Sequence, residues 1–163
     1  MLLFDASRAD GRTTELQNQF RLVTDGVMGG MSRGTLTVET VSGRRGLRLT
    51  GHVRLENNGG FIQMATDLTM DASSQSVLRL TVLGNNETYG CHLRTMDVRR
   101  PWQSYRQEFF ATETWSEVDL SLERFLPHRL DSPFDPAKLR RLGLVAIGRA
   151  FEADLTVSKI EMV

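Results

Sequence analysis

The 163-residue chain holds one cysteine, Cys91. An internal disulfide is therefore excluded, and nothing near Cys91 has the paired-thiol spacing of zinc or redox sites, which fits a reducing compartment. Neither charge is in excess: Lys plus Arg total 20 and Asp plus Glu total 20. Without a long-range positive field to gather phosphates, nucleic acid is not an expected partner. No run approaches the roughly 20 apolar residues of a bilayer span, so direct membrane insertion is not expected either. The start, Met1-Leu-Leu-Phe-Asp5, turns polar at once and lacks the basic and apolar parts of a secretory signal. Export is not encoded there, and a cytoplasmic location is expected.

Catalytic motifs are scarce as well. There is no His-Glu-x-x-His element and no Gly-x-Ser-x-Gly turn, the arrangements that carry well-understood hydrolytic chemistry. His52 lies on the polar side of an alternating run, His92 follows Cys91 inside a strand-like run, and His128 sits beside Pro127. Nothing in the spacing pairs them. Cys91 lies mid-strand without a nucleophile elbow, which reads as a buried structural thiol. Asp25, Glu56, Glu108 and Asp119 are the carboxylates from which a glycoside-hydrolysing pair would be drawn, but the separation that decides such chemistry is not encoded locally. Asp5, Asp71 and Asp154 are hard oxygen donors for calcium, yet isolated aspartates at strand ends ordinarily cap turns. The expectation is a non-catalytic binding protein with no cofactor and no metal.

Period-two alternation is abundant. In Leu47–Leu55 the apolar Leu47, Leu49, Val53 and Leu55 share one parity, while Arg48, Thr50, His52 and Arg54 share the other, the signature of a half-buried strand. Leu36–Val38, Leu78–Val82 and Val118–Leu122 repeat it between Gly-, Asn-, Asp- and Ser-rich breaks. Near the end Leu155 and Val157 take one parity and Ile160 and Met162 the other, which predicts a β-bulge between them. Turns are expected at Ser42-Gly43, Asn58-Gly59-Gly60 and Gly84-Asn85-Asn86. Asp135-Pro136 followed by Leu139, Leu142 and Gly143 predicts one short helix. With about nine or ten strands, one helix and no linker or repeat, residues 1–163 read as a single all-β domain of the jelly-roll sandwich kind.

Two segments are unusual. Asp25-Gly-Val-Met-Gly-Gly-Met-Ser32 places three glycines between a carboxylate and a hydroxyl, and Glu56-Asn-Asn-Gly-Gly-Phe61 joins two strands. Neither precedes a helical pattern or ends in lysine, so a phosphate cradle is disfavoured. The structural expectation is a turn in which Asp25 and Ser32 satisfy backbone amides, with Phe61 entering the core.

In that order the two segments resemble the complex I intermediate-associated protein 30 family. The likeness continues through Tyr89-Gly-Cys-His-Leu93-Arg94, Ser104-Tyr105-Arg-Gln-Glu-Phe109, Trp115, Phe125-Leu-Pro127 and Leu139-Arg-Arg-Leu-Gly-Leu144. The resemblance implies a galactose-binding-domain-like jelly roll and, as in mitochondrial members, a chaperone role in assembling respiratory complex I from intermediates. Phe125-Leu-Pro-His-Arg-Leu-Asp131 lacks the family's usual Arg-Gly pair, and Arg149-Ala-Phe151 stands where Gly-Pro-Phe is usual. The chain lacks an amino-terminal targeting extension and reads as a compact bacterial relative.

Ligands of such jelly rolls meet end loops or the concave face of one sheet. The expected partner-binding residues are Asp25, Met28, Ser32, Asn57 and Asn58 in the glycine-rich loops, and Arg94, Tyr105 and Gln107 on a sheet face. Trp102 joins them at the turn Arg99-Arg-Pro-Trp102, because Trp and Arg dominate binding hot spots. The expected partner is another protein, a respiratory-complex assembly intermediate being the family's case, with a carbohydrate or small ligand as the alternative.

Overall fold

The computed structural model describes all residues, Met1–Val163. Twelve strands form in chain order: β1 (Leu2–Asp5), β2 (Arg21–Thr24), β3 (Arg33–Val41), β4 (Arg44–Val53), β5 (Phe61–Met70), β6 (Val77–Leu83), β7 (Glu87–Thr95), β8 (Ser104–Ala111), β9 (Ser116–Ser121), β10 (Leu126–His128), β11 (Leu139–Ile147) and β12 (Phe151–Met162). They make two antiparallel six-stranded sheets. The back sheet runs β3-β4-β12-β6-β9 with β1 also on β12, and the front sheet runs β10-β8-β7-β11-β5-β2.

The alternating sequence sets the register. In the back sheet Leu36 lies opposite Leu49 and Leu49 opposite Leu155, while Leu80 faces Ile160 and Val118. In the front sheet Met64, Leu144 and Cys91 form one inward row. A one-residue slip in any strand would send such a row to solvent, so burial fixes the pairing. The two inward faces meet in one core of 34 buried residues. The Cys91 thiol lies in it, and burial pushes its pKa up.

The bulge expected near the end is present: the β12–β6 register shifts between Val157 and Lys159. Two expectations are corrected. The segment Asp135–Leu142 is not a helix. Asp135 does cap, its side chain accepting from the Ala137 N–H, but only a 3-10 turn at Pro136–Lys138 follows before β11 begins at Leu139. The cause is a bulge between Leu139 and Arg141, which lets Leu139 and Leu142 both face the core at a spacing that imitates a helix. Phe61 does not enter the core either. It is half-buried on the outer side of the front sheet, and Ile62 is the fully buried residue.

Candidate functional site

The glycine-rich segments lie side by side at one end of the sandwich, where the chain crosses between sheets after β2 and again after β4. Asp25 holds both crossings. Its fully buried carboxylate accepts from the Ser32 N–H at 3.0 Å, the Gly60 N–H at 2.6 Å and the Phe61 N–H at 3.3 Å, and also from the Ser32 hydroxyl. Ser32 Oγ accepts in turn from the Arg54 N–H at 2.8 Å. Burial opposes ionisation of Asp25, but these hydrogen bonds outweigh it and hold the carboxyl below the usual range. Gly30 and Gly59 are glycine for this reason: a Cβ at either would run into the Asp25 carboxylate. Asn57 adds a tie, its side-chain amide donating to the Gly29 carbonyl at 3.2 Å. Asp25 and Ser32 thus form an internal latch, which leaves Met28 and Asn58 of these loops as groove-lining residues.

The groove, of about 530 Å³, crosses the outer face of the front sheet, with Val27, Met28, Asn58 and Phe61 on the latch side and Trp102 and Arg129 contributed by other loops. Val27, Met28 and Trp102 are 75%, 59% and 53% exposed, enough to offer apolar surface to a partner. The Trp102 loop is braced by Gln103, whose side-chain oxygen accepts from the Arg99 and Arg100 N–H groups at 3.1 Å each and whose amide donates to the Arg129 carbonyl at 3.0 Å.

The floor comes from the outward parity of β5, β7, β8 and β11. Arg94 lies directly opposite Arg141, His92 lies between Gly143 and Arg106, and Gln63 is opposite Val145. Gly143 leaves room for the Gln63 amide, whose oxygen would be 2.6 Å from an added Cβ. Burial, then the charge of Arg106 and that of His128, pull the His92 pKa down to about 3, so its ring is neutral at physiological pH. Burial also lowers Arg94, Arg106 and Arg141, with the neighbouring cations Arg140, Arg129 and Arg21 adding respectively. They remain charged, as guanidinium does in proteins. Arg94 donates to the Arg100 carbonyl at 3.0 Å and Arg106 to the Ser104 hydroxyl at 2.8 Å.

Of the residues expected from sequence, Met28, Asn58, Arg94 and Trp102 share the groove. Tyr105 and Gln107 do not. Tyr105 is fully buried in the core with its ring 5.3 Å from Phe134, and Gln107 donates to the Ser121 carbonyl at 3.0 Å. Their parity is shared with Phe109 and faces the other sheet. The groove instead presents Gln63, His92, Arg106 and Arg141, which sequence reasoning missed. The signal was present in the polar parity of Ser104, Arg106 and Glu108, and Arg141 was hidden by the helix-like spacing of β11.

The carboxylates considered for hydrolysis are dispersed. Asp25 is in the latch, Glu56 pairs with Arg54 at 2.7 Å, Asp119 pairs with Arg79 at 2.8 Å on the back sheet, and Glu108 does not line the groove. Asp154 is engaged by Arg48 at 2.7 Å, while Asp5 and Asp71 each cap their own turns through Ser7 and Ser73. No helix is long and apolar enough to cross a membrane.

The same architecture occurs in carbohydrate-binding modules of Clostridium thermocellum. A family 11 module of a cellulosomal cellulase superposes with a TM-score of 0.75 at 7% identity, covering 100% of this chain and 93% of that one. The family 11 module in complex with a β-1,3-1,4-mixed-linked tetrasaccharide gives 0.72 at 8% identity, covering 99% and 94%. A family 30 module gives 0.64 at 18%, covering 88% and 90%. At these identities the likeness establishes the galactose-binding-like β-sandwich fold. No curated protein matches the sequence. The sequence profile of Complex I intermediate-associated protein 30 matches residues 9–157, latch and groove included, and the chain belongs to that family.

Proposed function

We propose that the protein works by binding rather than by catalysis, and that it takes a segment of another polypeptide in the front-sheet groove in the manner of an assembly factor. The observation that carries this reading is the meeting of exposed apolar anchors, Val27, Met28 and Trp102, with Arg94, Arg106 and Arg141 in one groove. Large aromatic and arginine side chains supply most of the energy of protein interfaces. Family membership supports the assembly role, since the family takes its name from association with complex I intermediates. The buried free Cys91 fits work in the reducing cytoplasm.

A sugar ligand is the second reading, favoured by the exposed Trp102 ring and by the fold shared with carbohydrate-binding modules. It ranks lower because a sugar hydroxyl donates as well as accepts, and the groove, rich in arginine donors, includes no carboxylate to receive hydroxyl protons.

The test is affinity purification of the tagged chain from its native cells beside a Trp102→Ala, Arg94→Ala variant. Respiratory-complex subunits should copurify with the native chain and be lost from the variant. Equal recovery on both, or none on either, overturns the assembly reading. Calorimetry with a mixed-linked β-glucan oligosaccharide then decides the second, where a signal abolished by Trp102→Ala would establish it.

A further inference from the structure

The groove is far more basic than the chain. The whole sequence balances its charges at 20 and 20, yet the groove is lined by Arg94, Arg106, Arg129 and Arg141, with His92 and His128, and by no Asp or Glu. Arg94 and Arg141 are cross-strand neighbours, a juxtaposition of like charges that weakens sheet pairing. None of Arg94, Arg106 and Arg141 has a carboxylate within 4.0 Å; Arg33, Arg99 and Arg124 lack one too, but those are exposed to water, whereas the three groove arginines are half-buried. The carboxylate nearest in register, Asp67 opposite Arg141, reaches toward Arg21 instead, at 4.0 Å. Partly desolvated guanidinium groups without counterions are costly, and an incoming carboxylate received in their planar forks would offset that cost.

We infer that the groove recognises an acidic polypeptide segment, its carboxylates seated among Arg94, Arg106 and Arg141 and its apolar side chains against Trp102 and Met28. The inference rests on the proposed reading of the groove as a protein-binding site and names the chemistry of the partner. Arginine forks take phosphate as well as carboxylate, but the floor adds none of the free backbone N–H groups that phosphate cradles use, because those of β7, β8 and β11 belong to paired strands. An acidic sugar would bring carboxylates but no apolar side chains to cover the exposed Val27 and Met28.

The probe is a fluorescein-labelled oligoglutamate of about eight residues, roughly 26 Å when extended, read by anisotropy against oligoglutamine and oligogalacturonate. The native full chain should bind oligoglutamate in preference to both, and binding should weaken with ionic strength. An Arg106→Gln, Arg141→Gln variant should lose about tenfold or more in affinity, while Arg79→Gln on the back sheet should lose little. If the double variant fails to fold, Arg106→Lys is read in its place: it keeps the charge, loses the fork, and should still bind more weakly. The inference is overturned if oligoglutamate binds no better than oligoglutamine, if the groove variants bind as the native chain does, or if oligogalacturonate binds more tightly. Should oligoglutamate fail while copurification that is lost from the Trp102→Ala, Arg94→Ala variant persists on the native chain, the acidic chemistry falls and the groove remains a protein site. Failure of both removes the groove reading as well.

Discussion

Arg48 and Arg79 on the back sheet and Arg94, Arg106 and Arg141 on the front sheet are treated in opposite ways. On the back sheet Arg79 stands directly across from Asp119 and is bonded to it at 2.8 and 3.1 Å. Arg48 donates to Asp154 at 2.9 and 2.7 Å and to Glu39 at 3.2 Å. On the front sheet Arg141 stands between Arg94 on β7 and Asp67 on β5, yet no carboxylate comes within 4.0 Å of it, Asp67 reaching toward Arg21 instead. Opposite charges directly paired across strands contribute to sheet stability and like charges detract from it. The back sheet therefore carries the pattern expected of a face that only has to fold, and the front sheet carries one that folding alone does not favour. That asymmetry, more than any motif, is what supports the proposed placement of the binding site on the front sheet.

The largest effect is expected where polar groups are most completely satisfied, at the latch. Asp25→Ala leaves the Ser32, Gly60 and Phe61 N–H groups without their acceptor and should cost about 3 kcal/mol or more, measured by urea denaturation at neutral pH. The cost should depend on pH in a defined direction. The folded-state pKa of Asp25 is lowered, so its stabilisation is fully present above the unfolded value of about 3.9 and fades as pH falls through the folded value. The gap between native chain and variant should therefore narrow only in strong acid. A gap unchanged by acid would mean that the carboxylate charge is not what holds the loops.

The next test addresses the two sheets directly. Arg48→Met removes a partly buried, bidentate guanidinium from two carboxylates and should destabilise by about 1 kcal/mol. Arg141→Met removes a partly desolvated charge that makes no ion pair and on which burial, Arg21 and Arg94 outweigh the pull of Asp67, and should leave the free protein as stable as before or more so. If Arg141→Met costs as much as Arg48→Met, the front-sheet arginines are structural and the contrast between the sheets disappears.

His92 supplies a separate, pH-dependent measure of the same field. Its pKa is pulled down to about 3 by burial and then by Arg106 and His128. Because the folded value lies below the unfolded value of about 6.5, stability is fully present above pH 6.5 and declines as pH falls toward the folded value. His92→Gln should flatten the acid limb between about pH 6 and 4, before the Asp25 limb begins. Arg106→Gln should raise the His92 pKa in an NMR titration, since it removes one of the adverse charges.

How much of this was legible depends on whether local or cross-strand information decided it. The strands of the back sheet read directly, because Leu47, Leu49, Leu78 and Leu80 alternate with polar neighbours and the face they mark is buried. The bulge in β12 was legible from the switch of parity after Val157. The latch was half legible: two glycine-rich loops bracketed by Asp25 and Ser32 pointed to side-chain–backbone bonding, but that Asp25 reaches across to Gly60 is a fact of topology. The groove was read on the wrong parity of β8. Tyr105 and Gln107 looked like presented side chains, yet the parity they share with Phe109 is the aromatic one, which packs in a two-layer sandwich. Arg141 was lost because a bulge at the start of β11 copies a helical interval, and no single-strand pattern reveals that its neighbour is Arg94.

The smallest expected effect separates shape from stability. Glycines occur both in the latch and in the groove floor, but an added methyl meets different neighbours. At Gly59 it would come within 2.6 Å of an Asp25 oxygen fixed by backbone bonds, and the latch would have to open. At Gly143 it meets only the Gln63 amide oxygen, the far end of a flexible side chain, with Ala65 at 3.8 Å. Alanine also suits a strand interior better than glycine. Gly143→Ala should therefore change stability by less than about 0.5 kcal/mol, while lifting Gln63 off the floor and weakening oligoglutamate binding several-fold. An unchanged affinity would show that the partner rides on the rim formed by Trp102 and Met28 without reaching the floor. A melting temperature lowered by several degrees would show that Gly143 is kept for packing, and the floor would then be shaped by the fold's own needs.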